Sequence, residues 1–186
     1  MKRFFDLSIS IIALMIFFIP MLLIAILIRL TSHGPAIYWS KRIGINSVIF
    51  KMPKFRTMII DTPTIATHLI ENYDDYLTPV GGILRRFSLD EIPQLFSILK
   101  GDMSLVGPRP ALYNQDDLIA LRKDKGVDKL TPGVTGWAQI NGRDSISIPE
   151  KVNLDLEYLN RKSFFFDLFI IKSTIFKVIM KNDISH

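Results

Sequence analysis

The sequence predicts a helix-rich α+β protein, with a kinked N-terminal membrane helix in residues 1–32 and a compact cytoplasmic domain in residues 33–186. Three observations support this fold class: an uncharged apolar run near the start, two short β-patterned stretches around a turn, and several amphipathic helical stretches after them. The 186 residues suffice for one domain with a hydrophobic core. The chain has no cysteine, which excludes disulfides and thiolate metal sites.

The apolar run extends from Leu7 to Ile28, and its 22 uncharged residues match the roughly 20 that span a bilayer core. A signal peptide and a buried core helix are the alternatives; the run is long for the first and unusually free of charge for the second. The formal charge of +5 and the 48% hydrophobic content favour an anionic lipid environment over nucleic acid.

Charges on both sides of this run bear on its topology. The flanking basic residues are Lys2, Arg3, Arg29, Lys41 and Arg42. Basic flanks prefer the cytoplasm, so both ends of the run favour the same side of the membrane. Pro20 can kink the helix. A re-entrant helix that leaves on the side it entered and a spanning helix with a kink both fit these residues.

The first elements after the membrane segment form a predicted β-hairpin. Ala36–Trp39 and Ser47–Lys51 have strand composition and flank a turn at Gly44–Asn46. Pro53 is expected to break the second strand. The polar stretch from Thr62 to Tyr76 is compatible with a helix or a surface loop.

The rest of the chain reads mainly as helices. Four helices are expected: one that begins after Ser88, one over Asn114–Lys125, one over Pro149–Arg161 and one over Ser163–Lys181. The helix over Asn114–Lys125 is expected to be solvated. The last one is amphipathic and basic. Its polar side carries Asp167, Ser173, Thr174, Lys177 and Lys181, and its apolar side carries Phe164, Phe165, Leu168, Phe169, Ile171, Ile175, Phe176 and Ile179. Such a helix can lie flat in a membrane interface or pack on the domain core.

The segment from Arg85 to Pro110 contains the residues best suited to chemistry. Asp90 and Glu91 are adjacent carboxylates, although Ser88 and Glu91 also fit the capping box of an ordinary helix start. Arg109 lies between two prolines, and a rigid guanidinium is a five-donor fork suited to phosphate.

Hard oxygen ligands and a set of cations together suggest phosphoryl transfer. The cations considered are Lys54, Arg56, Arg85, Arg109 and Arg143. Adjacent helical residues point about 100° apart, so Asp90 and Glu91 would divide the labour, one attacking phosphorus and the other holding a metal. The residues alone leave open which does which. The sequence lacks a P-loop and a nucleophile elbow, and its three histidines lie far apart.

Four stretches, KRFFD, KFRTM, RRFSLDEIPQLFSILKGDMSLVGPRP and TPGVTGWAQINGR, resemble the bacterial sugar transferases, the small monotopic phosphoglycosyl transferases. The resemblance covers nearly the whole chain. It implies transfer of a sugar-1-phosphate from a UDP-sugar to polyprenyl (undecaprenyl) phosphate, with release of UMP and a covalent aspartyl intermediate in ping-pong order. It places the enzyme at the bacterial inner membrane with a cytoplasmic active site, at the first membrane step of surface glycan or glycoprotein synthesis.

The resemblance also assigns roles to residues. It implies that Asp90 is the nucleophile, that Glu91 binds Mg²⁺ and that Arg109 holds a phosphate, with Lys54 and Arg85 as further anion contacts. The set of expected substrate contacts is completed by Arg56, Gln139, Asn141 and Arg143.

The sequence departs from the family pattern at one position, and the resemblance does not specify every property of the protein. The family breaks its re-entrant helix near a Ser-Pro pair, and here the pair is Ile19-Pro20. Family members can be homodimers, and no nucleic acid partner is expected. The sequence does not name the sugar, and an N-acetylated deoxy sugar is the first one to test. Two other functions stay open: a glycosyltransferase that releases UDP, and a non-catalytic membrane-anchored module that binds lipid or nucleic acid.

Overall fold

The computed structural model describes residues 1–63, 72–142 and 145–180, and the fold is helix-rich α+β with two small sheets. The helices are α1 (Lys2–Thr31), α2 (Gly81–Arg86), α3 (Leu95–Lys100), α4 (Asp116–Asp124), α5 (Trp137–Ile140), α6 (Ile148–Arg161) and α7 (Phe164–Met180). The strands are β1 (Ile37–Ile43), β2 (Ile49–Phe55), β3 (Ser104–Val106) and β4 (Gly133–Thr135). Short 3₁₀ helices occupy Ile45–Ser47, Tyr73–Tyr76, Leu89–Gln94 and Val127–Lys129.

The predicted hairpin is confirmed, and it is longer than the sequence suggested. β1 and β2 pair antiparallel from Ile37 opposite Phe55 to Ile43 opposite Ile49. The prediction that Pro53 ends the second strand is wrong, because Pro53 lies within β2 opposite Trp39. Each strand of a two-stranded sheet has an open edge, so a residue without an N–H can be accommodated there.

A second, parallel pair of strands was not predicted. β3 and β4 pair at Ser104 with Gly133 and at Val106 with Thr135. Backbones cross very closely here, since a Cβ on Gly133 would lie 2.1 Å from the amide nitrogen of Gly107. The glycines of the segment TPGVTG are therefore packing positions that bring this segment against the chain just before Pro108-Arg109-Pro110.

α1 is long and apolar enough to cross a membrane, the one helix of the described residues that meets this test by length and composition. It runs unbroken from Lys2 to Thr31 with Pro20 inside. Its N-terminal end is fixed to the domain. The Lys2 ammonium lies 2.6 Å from a carboxylate oxygen of Asp167, and the Asp6 carboxylate accepts a hydrogen bond of 2.8 Å from the Ser104 hydroxyl.

The C-terminal end of α1 is held by the same domain. Ile28 is fully buried with Phe55 and Leu84. Between the two ends, residues 15–20 are exposed. The helix thus contacts the domain at both ends and not across its middle.

α7 packs on the domain through one side only. Phe166, Asp167 and Ile170 are buried, and the Asp167 carboxylate accepts a hydrogen bond from Tyr158 at 2.8 Å. Apart from Lys172, the exposed side is apolar, with Phe164, Phe165, Leu168, Phe169, Ile175, Phe176 and Val178. α7 therefore packs on the core through Phe166 and Ile170 together with the Asp167 carboxylate, while most of its aromatic residues face outward.

α4 and α6 differ in how well they match the sequence prediction. α6 is confirmed, and a capping box between Ser147 and Glu150 starts it. α4 is confirmed in position, but the prediction that it is simply solvated is wrong. Leu118 and Arg122 are buried, because α4 packs against α6.

Candidate active site

The carboxylate pair lies on the 3₁₀ helix Leu89–Gln94, which leads directly into α3. The capping-box interpretation is wrong, because Ser88 makes no side-chain cap hydrogen bond and has a left-handed backbone with φ of 54°. A non-glycine residue in this region is strained, and such strain is common at functional sites. The tight turn buries Asp90, which is 7% exposed.

Lys54 of β2 lies between the two carboxylates. Its ammonium is 2.7 Å from Oε1 of Glu91 and 3.9 Å from Oδ2 of Asp90. β2 packs against the 3₁₀ helix, which is why a strand residue reaches both groups. One cation is therefore close to both carboxylates even though neighbouring side chains on a helix diverge.

Arg109 contributes a second cation to the cluster. Its Nη2 donates to Oε1 of Glu91 at 2.9 Å, so the same oxygen accepts from Lys54 and from Arg109. The guanidinium comes from the Pro108–Pro110 loop that follows β3. Residues from three separate parts of the sequence meet here.

Burial dominates the electrostatics of the cluster. It raises the pKa of Asp90, and the nearby Glu91 carboxylate acts in the same direction while the Lys54 ammonium opposes the shift. Burial also lowers the pKa of Lys54, against the attraction of Glu91. An ionised Asp90 here is a poorly solvated carboxylate close to cations, which suits a nucleophile toward an anionic substrate.

Arg85 lies at the edge of this cluster and is held by two residues. Its Nε donates to the Thr57 hydroxyl and its Nη1 to the Tyr73 hydroxyl, both at 2.8 Å. The guanidinium also lies over the Tyr73 ring, 5.2 Å from its centroid. Its charge is close enough to counter, in small part, the raised pKa of Asp90.

Arg56, expected as a substrate contact, is placed at the end of α1. It is 5% exposed and donates to the carbonyls of Ser32, His33 and Gly34. β2 ends at Phe55, although the Arg56 amide still donates to the Ala36 carbonyl at 2.8 Å, and the Lys54 and Arg56 side chains reach different places.

The predicted contacts in the glycine-rich segment make local hydrogen bonds. The Gln139 amide donates to the Val134 carbonyl at 3.3 Å, and the Asn141 amide donates to the Trp137 carbonyl at 2.8 Å. Arg143 lies outside the described residues. A role of these three residues in substrate binding stays a prediction.

The donor set fits Mg²⁺ bound through few protein ligands. Over residues 1–63, 72–142 and 145–180, no group of three or more His, Asp or Glu side chains could enclose a metal ion. Mg²⁺ commonly binds one or two carboxylates and completes its shell with water and substrate phosphate. Glu91 would hold it, with Asp90 adjacent.

Sequence analysis missed the residues that support this cluster. Arg42 was counted as a charge flanking the membrane segment, but it lies near Lys54 and donates to the Pro110 carbonyl at 3.1 Å. Arg122 and Asp155 form a buried ion pair of 2.7 Å behind Arg109. A charged residue at a buried position of an amphipathic helix is the signal that could have found Arg122.

Buried carboxylates surrounded by cations, beside a helix suited to a bilayer, define a class of membrane-anchored enzymes that act on phosphate-bearing substrates. Comparison with known proteins gives the family. The model of the bacterial sugar transferase family matches residues 1–181, and the chain belongs to that family. This confirms the resemblance of the sequence motifs and the enzyme class, a sugar-phosphate transferase, that it implied.

Named relatives agree with this membership. The "Uncharacterized sugar transferase EpsL" of Bacillus subtilis is 39% identical over 99% of this chain and 90% of its own length. The "Exopolysaccharide production protein ExoY" of Rhizobium meliloti is 38% identical over 94% of this chain and 83% of its own. The "UDP-glucose:undecaprenyl-phosphate glucose-1-phosphate transferase" of Escherichia coli is 37% identical over 95% of this chain, which spans 40% of that longer protein.

Proposed function

We propose that this protein transfers a sugar-1-phosphate from a UDP-sugar to undecaprenyl phosphate and releases UMP, through a covalent intermediate on Asp90. The observation that carries the proposal is the cluster itself: a buried Asp90, a Glu91 bound to Lys54 and Arg109, and Lys54 within 4 Å of both carboxylates. The family membership and the relative named for UDP-glucose and undecaprenyl phosphate support the substrates.

The reaction proceeds in two displacements at one phosphorus. A carboxylate oxygen of Asp90 attacks the phosphorus that bears the sugar; an O–P bond forms as the bridging P–O bond breaks, and UMP leaves with the electron pair. A phosphate oxygen of the lipid then attacks the same phosphorus and releases the Asp90 carboxylate. The product is the polyprenyl diphosphate sugar, and the enzyme returns to its starting state.

The cations offset charge repulsion in both displacements. An anionic carboxylate approaches an anionic diphosphate, so fixed positive groups are needed where negative charge gathers. Arg109 and Lys54 are pre-positioned by their shared contact with Glu91. When bound at Glu91, Mg²⁺ would neutralise charge on the diphosphate.

We also propose that α1 is re-entrant, with both ends on the cytoplasmic face of the membrane. A straight helix of 30 residues is about 45 Å long, enough to carry its ends to opposite sides of a bilayer. Here one domain binds both ends, through Asp6 and Ile28, while residues 15–20 between them are exposed. Basic residues on both flanks favour the same side.

α7 supports an interfacial position of the domain. Its exposed apolar side includes Phe165, which is 81% exposed, and Phe176, which is 63% exposed. An apolar face of this size on a folded domain needs a covering surface, and two polar side chains of α7, Asp167 and Thr174, are directed to the protein. Lipid next to α1 is the simplest cover.

A product assay tests the reaction. Purified protein with Mg²⁺, undecaprenyl phosphate and a panel of UDP-sugars, including UDP-glucose and an N-acetylated deoxy sugar, should release UMP with at least one donor. Release of UDP would indicate a glycosyltransferase that leaves the phosphate behind. Absence of turnover with every donor would favour a binding module.

The covalent step has a separate test. With donor alone, the protein should release about one equivalent of UMP and gain the mass of one phosphosugar, measured by intact-mass spectrometry. Asp90→Asn should abolish the mass gain and turnover, and Asp117→Asn, on the exposed side of α4, should preserve both. A wild type that gains no mass, and turns over when both substrates are present, would refute the aspartyl intermediate.

A further inference from the structure

The Pro108-Arg109-Pro110 loop is held through three successive carbonyl oxygens, each bound by a different element. The Pro108 carbonyl accepts from the backbone amide of Gly133 at 2.9 Å. The Arg109 carbonyl accepts from Nη1 of Arg122 at 2.8 Å. The Pro110 carbonyl accepts from Nη1 of Arg42 at 3.1 Å.

This mode of support follows from the loop sequence. Proline has no N–H, so the peptide nitrogens of Pro108 and Pro110 cannot donate hydrogen bonds. The stiff rings restrict the loop locally but do not attach it to the domain. Its carbonyls supply that attachment, and the Arg109 carbonyl lies on the residue whose side chain reaches Glu91.

The Arg122 guanidinium is itself held in place by the Asp155 carboxylate. Its Nε and Nη2 both donate to Oδ2 of Asp155, at 3.0 Å and 2.7 Å. Asp155 is 1% exposed and Arg122 is 8% exposed. A planar guanidinium can bind a carboxylate with one edge and a carbonyl with another, which a lysine ammonium on a flexible stem does not reproduce.

We propose that Arg122, held by Asp155, is a positioning residue that fixes the backbone of Arg109 and so keeps its guanidinium aligned with Glu91 and the substrate phosphate. This inference rests on the proposed function for its effect on activity. The geometry itself, a side chain from α4 and a carboxylate from α6 that together reach a loop carbonyl, is independent of the substrate.

A small cavity makes the position of the loop sensitive to this contact. A space of about 30 Å³ lies behind the loop, lined by Pro108, Pro110 and Arg122 among others. That is room for at least one water molecule. If the contact from Arg122 is lost, the loop can relax into this space, and a shift of about 1 Å at a phosphate-binding group can cost about a hundredfold in rate.

The first test is a double-mutant cycle. Arg122→Lys should lower kcat/KM for the UDP-sugar by at least about tenfold, in the range found for groups that orient a ligand-binding residue. In an Arg109→Ala background the same change should cost less than about twofold, because Arg122 then has no guanidinium to position. Equal losses in the two backgrounds would overturn the inference.

Two controls separate positioning from folding. Lys125 also joins α4 to α6, by donating to Asn153 at 3.2 Å, but it does not contact the loop; Lys125→Ala should keep kcat/KM within about twofold. The paired variant Arg122→Met with Asp155→Leu removes both buried charges, which commonly preserves stability. It should fold and still show the tenfold loss; full activity in this variant would refute the role of Arg122.

Hydrogen–deuterium exchange gives a measurement that needs no turnover. Peptides covering residues 104–112 should exchange faster in Arg122→Lys than in wild type, and at the wild-type rate in Lys125→Ala. Unchanged exchange in the Arg122 variant would overturn the positioning inference. A wild type that releases no UMP from any donor would instead refute the proposed function, and the exchange result would still decide how the loop is held.

Discussion

Replacing Arg56 with Met distinguishes a substrate contact from a structural contact. The sequence motif indicates a role in anion binding, whereas the side chain is buried at the end of α1. It donates to the Ser32 carbonyl at 3.1 Å, the Ser32 hydroxyl at 3.0 Å and the Gly34 carbonyl at 3.2 Å, and it also contacts the His33 carbonyl. Methionine fills similar space and donates nothing.

The size of the effect follows from these contacts. A helix ends with four carbonyls that lack partners within the helix, and the residues just beyond it need donors as well. A hydrogen bond from a charged group contributes about 1.5–3 kcal/mol, but bonds that share one guanidinium are not additive. We therefore expect Arg56→Met to lower the free energy of unfolding by about 3 kcal/mol, or about 6–12 °C in the midpoint for a chain of this size.

Two quantities should be measured: the midpoint of thermal unfolding in detergent micelles and the KM for the UDP-sugar. Arg29→Gln is the matched control, because Arg29 gives the same region one exposed hydrogen bond, to the Gly34 carbonyl at 3.2 Å. Its midpoint should fall by less than about 3 °C. At temperatures where Arg56→Met is folded, its KM for the UDP-sugar should match wild type. A midpoint equal to the Arg29 control, with a KM raised tenfold, would refute this reasoning.

Four further predictions concern the cluster and the membrane helix. Burial raises the folded-state pKa of Asp90, so the ionised carboxylate destabilises the fold at pH values above that pKa. Asp90→Asn should therefore unfold at a higher temperature than wild type at neutral pH. This difference in unfolding temperature should shrink as pH falls through the raised pKa. The steady-state rate should fall as pH drops through the pKa of Asp90 and as pH rises through the lowered pKa of Lys54. A rate that does not change over either pH range would contradict these roles. Glu91→Gln should cost on the order of a hundredfold in kcat and require more Mg²⁺ for half-maximal rate, whereas an unchanged Mg²⁺ titration would remove Glu91 as the ligand. Because the chain has no cysteine, a single cysteine can be labelled selectively, either one added before the first residue or one introduced by His33→Cys. Both cysteines should be shielded from a membrane-impermeant reagent in intact cells. Labelling of only one of them would mean that the helix spans the membrane.

Local patterns were sufficient to predict the hairpin, α6 and the length of α7, because strand composition and helical periodicity lie within one element. Pro53 was misjudged because the sequence does not tell whether a strand has a second neighbour. β3 and β4 have three residues each, too few for a period to appear, and they pair across 29 positions from Ser104 to Gly133.

The centre of the site was easier to predict than its supports. Asp90, Glu91 and Arg109 stand in one unusual segment, and a stiff loop around a cation is visible in sequence. Lys54 and Arg56 are two positions apart and look equivalent, but the end of β2 between them is set by tertiary packing.

The pairing of Arg122 with Asp155 could not be predicted from the sequence for a different reason. The two residues lie on different helices, 33 positions apart, and nothing in the sequence indicates that their side chains meet. Buried ion pairs formed by helix packing depend on which faces are brought together, and that information is distributed over the whole core.

The attachment of α1 bears on how this protein can be produced and redesigned. A membrane anchor is often treated as a tether that can be cut away to release a soluble enzyme. Here the cut would expose the apolar surfaces of Phe55 and Leu84 and leave the buried hydroxyl of Ser104 without its carboxylate partner. A water-soluble form is better sought by keeping the whole helix and exchanging outward residues, such as Phe165 on α7 and Met15 on α1, for polar ones. The part that holds the enzyme on the membrane is also part of what holds the enzyme together.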